Sequence, residues 1–73
     1  MVVLKSGANV SAGTVSVGSL CSVLKIKHHG SSATIKLNGC SIVIDSNNTY
    51  ETFEVDFNSF EIVSGSVDYV AIG

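Results

Sequence analysis

Ser32-Ala33-Thr34-Ile35-Lys36-Leu37-Asn38-Gly39-Cys40-Ser41-Ile42-Val43-Ile44-Asp45 is the stretch that decides the fold. Asn38-Gly39 separates two alternating runs, and a two-residue I′ turn needs φ > 0 at both central positions, which Asn and Gly tolerate at least cost. Counting outward from that turn sets Leu37 opposite Cys40, Ile35 opposite Ile42 and Ala33 opposite Ile44. One face of the hairpin is therefore apolar, with Cys40 pointing into the core. The other face carries Lys36 beside Ser41, Thr34 beside Val43 and Ser32 beside Asp45. A slip of one residue would mix the faces, so turn and pattern specify one register.

Downstream, Ser46-Asn47-Asn48 reads as a loop, because Asn and Ser side chains satisfy nearby backbone groups and Asn accepts φ > 0. Phe53, Val55 and Phe57 then alternate with Thr52, Glu54 and Asp56 as a half-buried strand, and Asn58-Ser59 turns the chain. Phe60 and Ile62 alternate with Glu61, Ser64-Gly65 turns again, and Val67, Tyr69 and Ala71 alternate with Asp68 and Val70. A two-residue turn at Ser64-Gly65 sets Ile62 opposite Val67 and Phe60 opposite Tyr69, a second apolar face.

Upstream, Val2-Val3-Leu4 reads as a short strand, followed by a small-residue segment, 6–13, that forms a loop or an irregular edge. Thr14-Val15-Ser16-Val17 alternates, Gly18-Ser19 interrupts, and 20–27 alternates again with Leu20, Leu24 and Ile26 sharing one face with Ser22. Lys25 and Lys27 mark the wet end of that strand. His28-His29-Gly30-Ser31 is a turn leading into the central hairpin. No segment has a helical period and proline is absent. The chain reads as one all-β domain over 1–73, a small antiparallel sandwich or barrel, jelly-roll-like, of six to eight short strands, with 1–13 as an edge strand and loop arm.

Seventy-three residues lie near the lower limit for independent folding, and a chain of this size buries only about 60% of the surface its unfolded form exposes. Yet 45% of residues are hydrophobic and only 14% charged, against roughly 25% in an ordinary soluble protein. Few charges are left to cover a large relative surface, which favours burial of part of it against another copy. No run approaches the length needed to span a bilayer, and Met1-Val2-Val3-Leu4 is cut off by Lys5-Ser6-Gly7, so the segment reads as neither a span nor a secretion signal. Cys21 and Cys40 read as buried free thiols or as one bridge, since spacing alone does not fix their separation.

The net charge is −2, and all four cationic residues are lysines in the first half, whereas all six acids follow Ile44. The halves carry opposite signs and would match one another within a subunit or between subunits. With no arginine and no basic excess, nucleic-acid binding is disfavoured; Tyr50, Phe53, Phe57, Phe60 and Tyr69 are interleaved with acids and read as core or interface.

His28-His29 is the first pair that a search for chemistry meets. Successive side chains of a strand point to opposite faces, so the rings share one metal only if the chain bends between them, and Cys21 and Cys40 match no zinc spacing. A nucleophile among Ser31, Ser32 and Cys40, with Asp45 as orienter, lacks an elbow or an oxyanion hole. The expectation is a non-enzymatic chain with no cofactor. Glu54, Asp56, Glu61 and Asp68 fall on the outward face of the expected meander, with Asp68 opposite Glu61, where like charges repel. No calcium-loop spacing accompanies them. His28, His29, Glu54, Asp56, Glu61, Asp68 and Tyr69 are the candidate interface residues.

The segments Ala33 to Asp45 and Phe60 to Gly73, with Asn38-Gly39 between alternating runs and the ending Val67-Asp68-Tyr69-Val70-Ala71-Ile72-Gly73, resemble small β-rich bacteriophage virion proteins over roughly half the chain. The resemblance implies a head-decoration, fibre or tail component, assembled in the host cytoplasm, commonly as a trimer, in contact with other virion proteins. It carries no catalytic residue across. The alternative is a small monomeric module that engages a basic protein through its acidic face.

Overall fold

The computed structural model describes residues 2–45 and 49–73, so the loop expected at Ser46-Asn47-Asn48 lies outside the described residues. The described chain is all-β, with eight strands: β1 (Val3–Val10), β2 (Gly13–Cys21), β3 (Val23–His28), β4 (Ala33–Leu37), β5 (Cys40–Ile44), β6 (Glu51–Phe53), β7 (Phe57–Ser64) and β8 (Val67–Ile72). No helix is long and apolar enough to cross a membrane among the described residues.

The central hairpin has the register that its sequence dictates. Asn38 and Gly39 have φ of 52° and 80°, and Leu37↔Cys40, Ile35↔Ile42 and Ala33↔Ile44 are partners. Ser32 Oγ prolongs the pairing by donating to Asp45 Oδ1 at 3.2 Å. Ala33, Ile35, Leu37 and Ile44 are buried, but Ile42 is half-buried and Cys40 is exposed. The expectation that Cys40 fills the core is thus corrected: β5 is an edge strand, flanked by β4 on one side only.

That hairpin is the tip of a longer ribbon. Walking away from Asn38-Gly39, β4 pairs β5, β3 pairs β6, β2 pairs β7 and β1 pairs β8, all antiparallel. The ribbon wraps on itself so that β3 also pairs β8 and β4 also pairs β7. Two four-stranded sheets result, β1-β8-β3-β6 and β2-β7-β4-β5. This double-sheet winding is the jelly-roll order, in which most connections pass from one sheet to the other.

Wrapping explains where the sequence expectations fail. The second hairpin does not exist, because β7 is an inner strand whose two edges are taken by β2 and β4, leaving none for β8. Ser64-Gly65 instead carries the chain between sheets. Gly65 (φ 78°) lies so close to the start of β4 that a Cβ there would meet the Ser32 carbonyl oxygen at 2.8 Å. Asn58-Ser59 does not turn either; β7 runs through it unbroken. The strand expected over Phe53 to Phe57 stops at Phe53, and 54–56 cross to the other sheet while Phe53 and Val55 still pack on the core.

The run 20–27 is likewise two strands, broken at Ser22, whose N–H donates to the Ile72 carbonyl at 2.8 Å. Changing sheets changes the phase of the alternation. Cys21 points inward on β2, Leu24 and Ile26 point inward on β3, and Leu20 is turned out with 66% of its surface exposed.

β1 is an irregular edge, with register shifts between Val3 and Lys5 and between Gly7 and Val10. Gly7 lies beneath the Tyr69 ring, where a Cβ would come 2.7 Å from Cε1. The opposite signs of the two halves meet within the subunit, since Lys27 is the register partner of Asp68 and Lys36 that of Glu61.

Candidate functional site

The two histidines part company, as alternation on a strand requires. His28 ends β3 pointing inward and is buried, while His29 lies outside on the opposite face. Its Nδ1 is 3.0 Å from Asp68 Oδ1. Lys27 Nζ is 3.8 Å from Asp68 Oδ2, and the Asn9 N–H donates to Oδ1 at 2.7 Å. Asp68 thereby joins β1, β3 and β8. The Asn9 hydrogen bond holds its carboxyl below the usual aspartate range, opposed by burial and reinforced by His29 and Lys27. Lys27 also lies over the Tyr50 ring, 5.2 Å from the centroid.

The other sequence candidates are not assembled around this pair. Asp45, the expected orienter, accepts from Ser32. Among the described residues no three His, Cys, Asp or Glu side chains converge on a metal position. Cys21 and Cys40 are both free thiols, the first buried and the second exposed; burial pushes the Cys21 thiol up.

The meander that placed four acids on one outward face is corrected as well. Glu61 projects from β7 in one sheet beside Lys36, Asp68 belongs to the other sheet, and Glu54 and Asp56 lie on the crossing between them. Tyr69, with 3% of its surface exposed, belongs to the core, as does His28. His29, Glu54, Asp56 and Glu61 keep exposed side chains.

Two polar atoms stand out inside. His28 Nδ1 and Glu51 Oε2 are buried with no hydrogen-bond partner among the described residues. Glu51 is the register partner of the inward-facing Ile26, so it points into the same end of the sandwich as His28.

A shallow groove of about 310 Å³ crosses the outer side of the β2-β7-β4-β5 sheet, lined by Thr14, Lys36, Asn38, Asn58, Ser59 and Glu61 among others. Its charges oppose one another and it is open to water, so it offers hydrogen bonds and no secluded chamber. Apolar surface is more distinctive. Val2, Val3, Leu4 and Leu20 are all exposed. Gly73 exchanges backbone hydrogen bonds with Val2 and lies close to the Leu4 side chain and the Leu20 carbonyl. Val43 and Val63 are exposed on the outer side of the β2-β7-β4-β5 sheet. Sequence reading missed Leu20 because the phase change at Ser22 leaves no local mark.

Comparison of the chain with protein-family models, with curated proteins and with solved structures returned no match.

Proposed function

We propose that the protein is a non-enzymatic structural module that associates with itself and attaches to a larger assembly, in the manner of a bacteriophage virion accessory protein. The observation that carries this reading is the apolar surface left over once the core is filled: Val2, Val3, Leu4 and Leu20 at one end, Val43 and Val63 on one outer side. Lys27 and Lys36 are set against Asp68 and Glu61 within the subunit. The accessible surface is 3961 Å². A standard interface of about 800 Å² per partner would cover about a fifth of it. The double-sheet jelly roll is shared by capsid, lectin and cupin domains, a fold-level analogy that leaves the choice to surface chemistry.

Sedimentation velocity over a range of protein and salt concentrations tests the reading. Species heavier than one chain that persist in high salt are expected, since the contacts are apolar. A monomer at every concentration contradicts it.

A further inference from the structure

We propose that β5 is a self-pairing edge: two copies join through it, antiparallel about a two-fold axis, fusing two four-stranded sheets into one of eight strands. This deepens the self-association reading and rests on it.

A sandwich of two open sheets has four edges, here β1 and β6 in one sheet and β2 and β5 in the other. Exposed edges invite pairing with another chain unless a charge, a bulge or extreme shortness blunts them. Three of the four are blunted. β1 carries Lys5, whose Nζ donates to the Ser16 carbonyl on β2 at 2.9 Å, and has two register shifts. β2 is tied by that same lysine, breaks register between Ser16 and Cys21, and holds Gly18 at φ 86°. β6 has three residues.

β5 has none of these defences. Cys-Ser-Ile-Val-Ile is uncharged, rich in β-branched residues, and unbroken in its register with β4 over all five positions. Its backbone is also poised. A two-residue I′ turn closes on a hydrogen-bonded pair, so Cys40, Ile42 and Ile44 turn their N–H and C=O groups toward β4, while Ser41 and Val43 turn theirs outward.

One register uses the whole strand and keeps inward side chains with inward ones. It sets Ser41 opposite Val43 of the second copy, where each pair exchanges two backbone hydrogen bonds, and Ile42 opposite Ile42 on the axis. Ile42 is half-buried and Cys40 exposed, so both have surface left to cover; Cys40 meets Ile44 across the seam. Asp45, just past the strand, comes opposite Gly39, so no like charges are opposed. A two-fold edge contact closes at two copies, and a dimer therefore replaces the trimer that the virion resemblance implies.

The test combines mass and cross-linking on the full chain. Sedimentation equilibrium is expected to give a dimer. Val43→Pro, which removes an outward N–H without touching the β4 ladder, is expected to give a monomer with an unchanged circular dichroism spectrum. Should that variant fail to fold, the Ser41→Lys/Val43→Lys double variant, altered only at exposed positions, serves in its place. In a Cys40→Ser background, Ile42→Cys is expected to form a covalent dimer on mild oxidation, because facing residues of a non-hydrogen-bonded pair lie within disulfide reach. A trimer, or an oligomer unaffected by these variants, overturns the edge pairing and leaves self-association standing. A wild-type monomer at every concentration overturns both.

Discussion

Phe60 and Tyr69 meet edge to face across the sandwich, with ring centroids 5.2 Å apart and planes at 79°. They lie on strands of different sheets, so their contact holds one sheet to the other. Phe57 extends the cluster, 6.4 Å from Phe60. A double-mutant cycle with Phe60→Leu and Tyr69→Leu is expected to show a coupling of about 0.5–1.5 kcal/mol in denaturant titrations. Strict additivity would mean that the rings do not touch.

Ile35 is fully buried at the centre of the hairpin. Ile35→Asp places an unpaired charge there, costing more than about 4 kcal/mol. A 73-residue domain has only about 4–11 kcal/mol of total stability. The variant is expected to lack a cooperative thermal transition, and near-normal unfolding would contradict the face assignment.

Gly39 has φ of 80°, in the left-handed region, with open space around it. Gly39→Ala therefore meets conformational strain without a clash and is expected to cost about 1–2 kcal/mol. Gly7→Ala loses stability for a different reason, collision with Tyr69 and Val10 side chains. Leucine or alanine at position 69 is expected to relieve the Gly7→Ala defect and to leave the Gly39→Ala defect unchanged. Equal rescue of both would contradict the distinction.

Asp68 ties stability to acid pH. Its carboxyl titrates below its ordinary value, chiefly through the Asn9 N–H, so the folded state binds that proton less readily than the unfolded chain. The contribution is complete above the ordinary aspartate range and is lost as pH falls through the depressed folded value. Asp68→Asn is expected to lower the melting temperature at neutral pH and to flatten its decline below pH ~4. An unchanged acid limb would contradict this assignment.

Cys21 is fully buried and its thiol is pushed up, whereas Cys40 is exposed. At low protein concentration a thiol reagent is expected to modify Cys40 in the native protein and Cys21 only after denaturant is added. Equal rates for both would contradict the burial of Cys21.

Local features were legible in the sequence and wrapping was not. Asn38-Gly39 and its flanking alternation fix five partner pairs because turn chemistry and side-chain period act within a few residues. The opposition of His28 and His29 followed from the same period. Partners for β7 and β8 depend on which edges are already occupied, a property of the folded ribbon that Ser64-Gly65 does not encode. The inward position of Cys21 and the outward turn of Leu20 depend on a change of sheet at Ser22, again without a local signature. For the candidate interface, strand parity placed Glu61 outside, whereas the burial of His28, read as part of a turn, and the anchoring of Asp68 needed the length of β3 and the bulged return of β1 at Asn9.

The wrapped ribbon is the claim from which core, charge pairing and free edge all follow, and inter-strand NOEs in solution test it most directly. Backbone contacts are expected between Lys36 and Glu61 and between Lys25 and Val70, which join β4 to β7 and β3 to β8. A backbone ladder running through Ile62 and Val67 instead, the hairpin of β7 with β8, would contradict it.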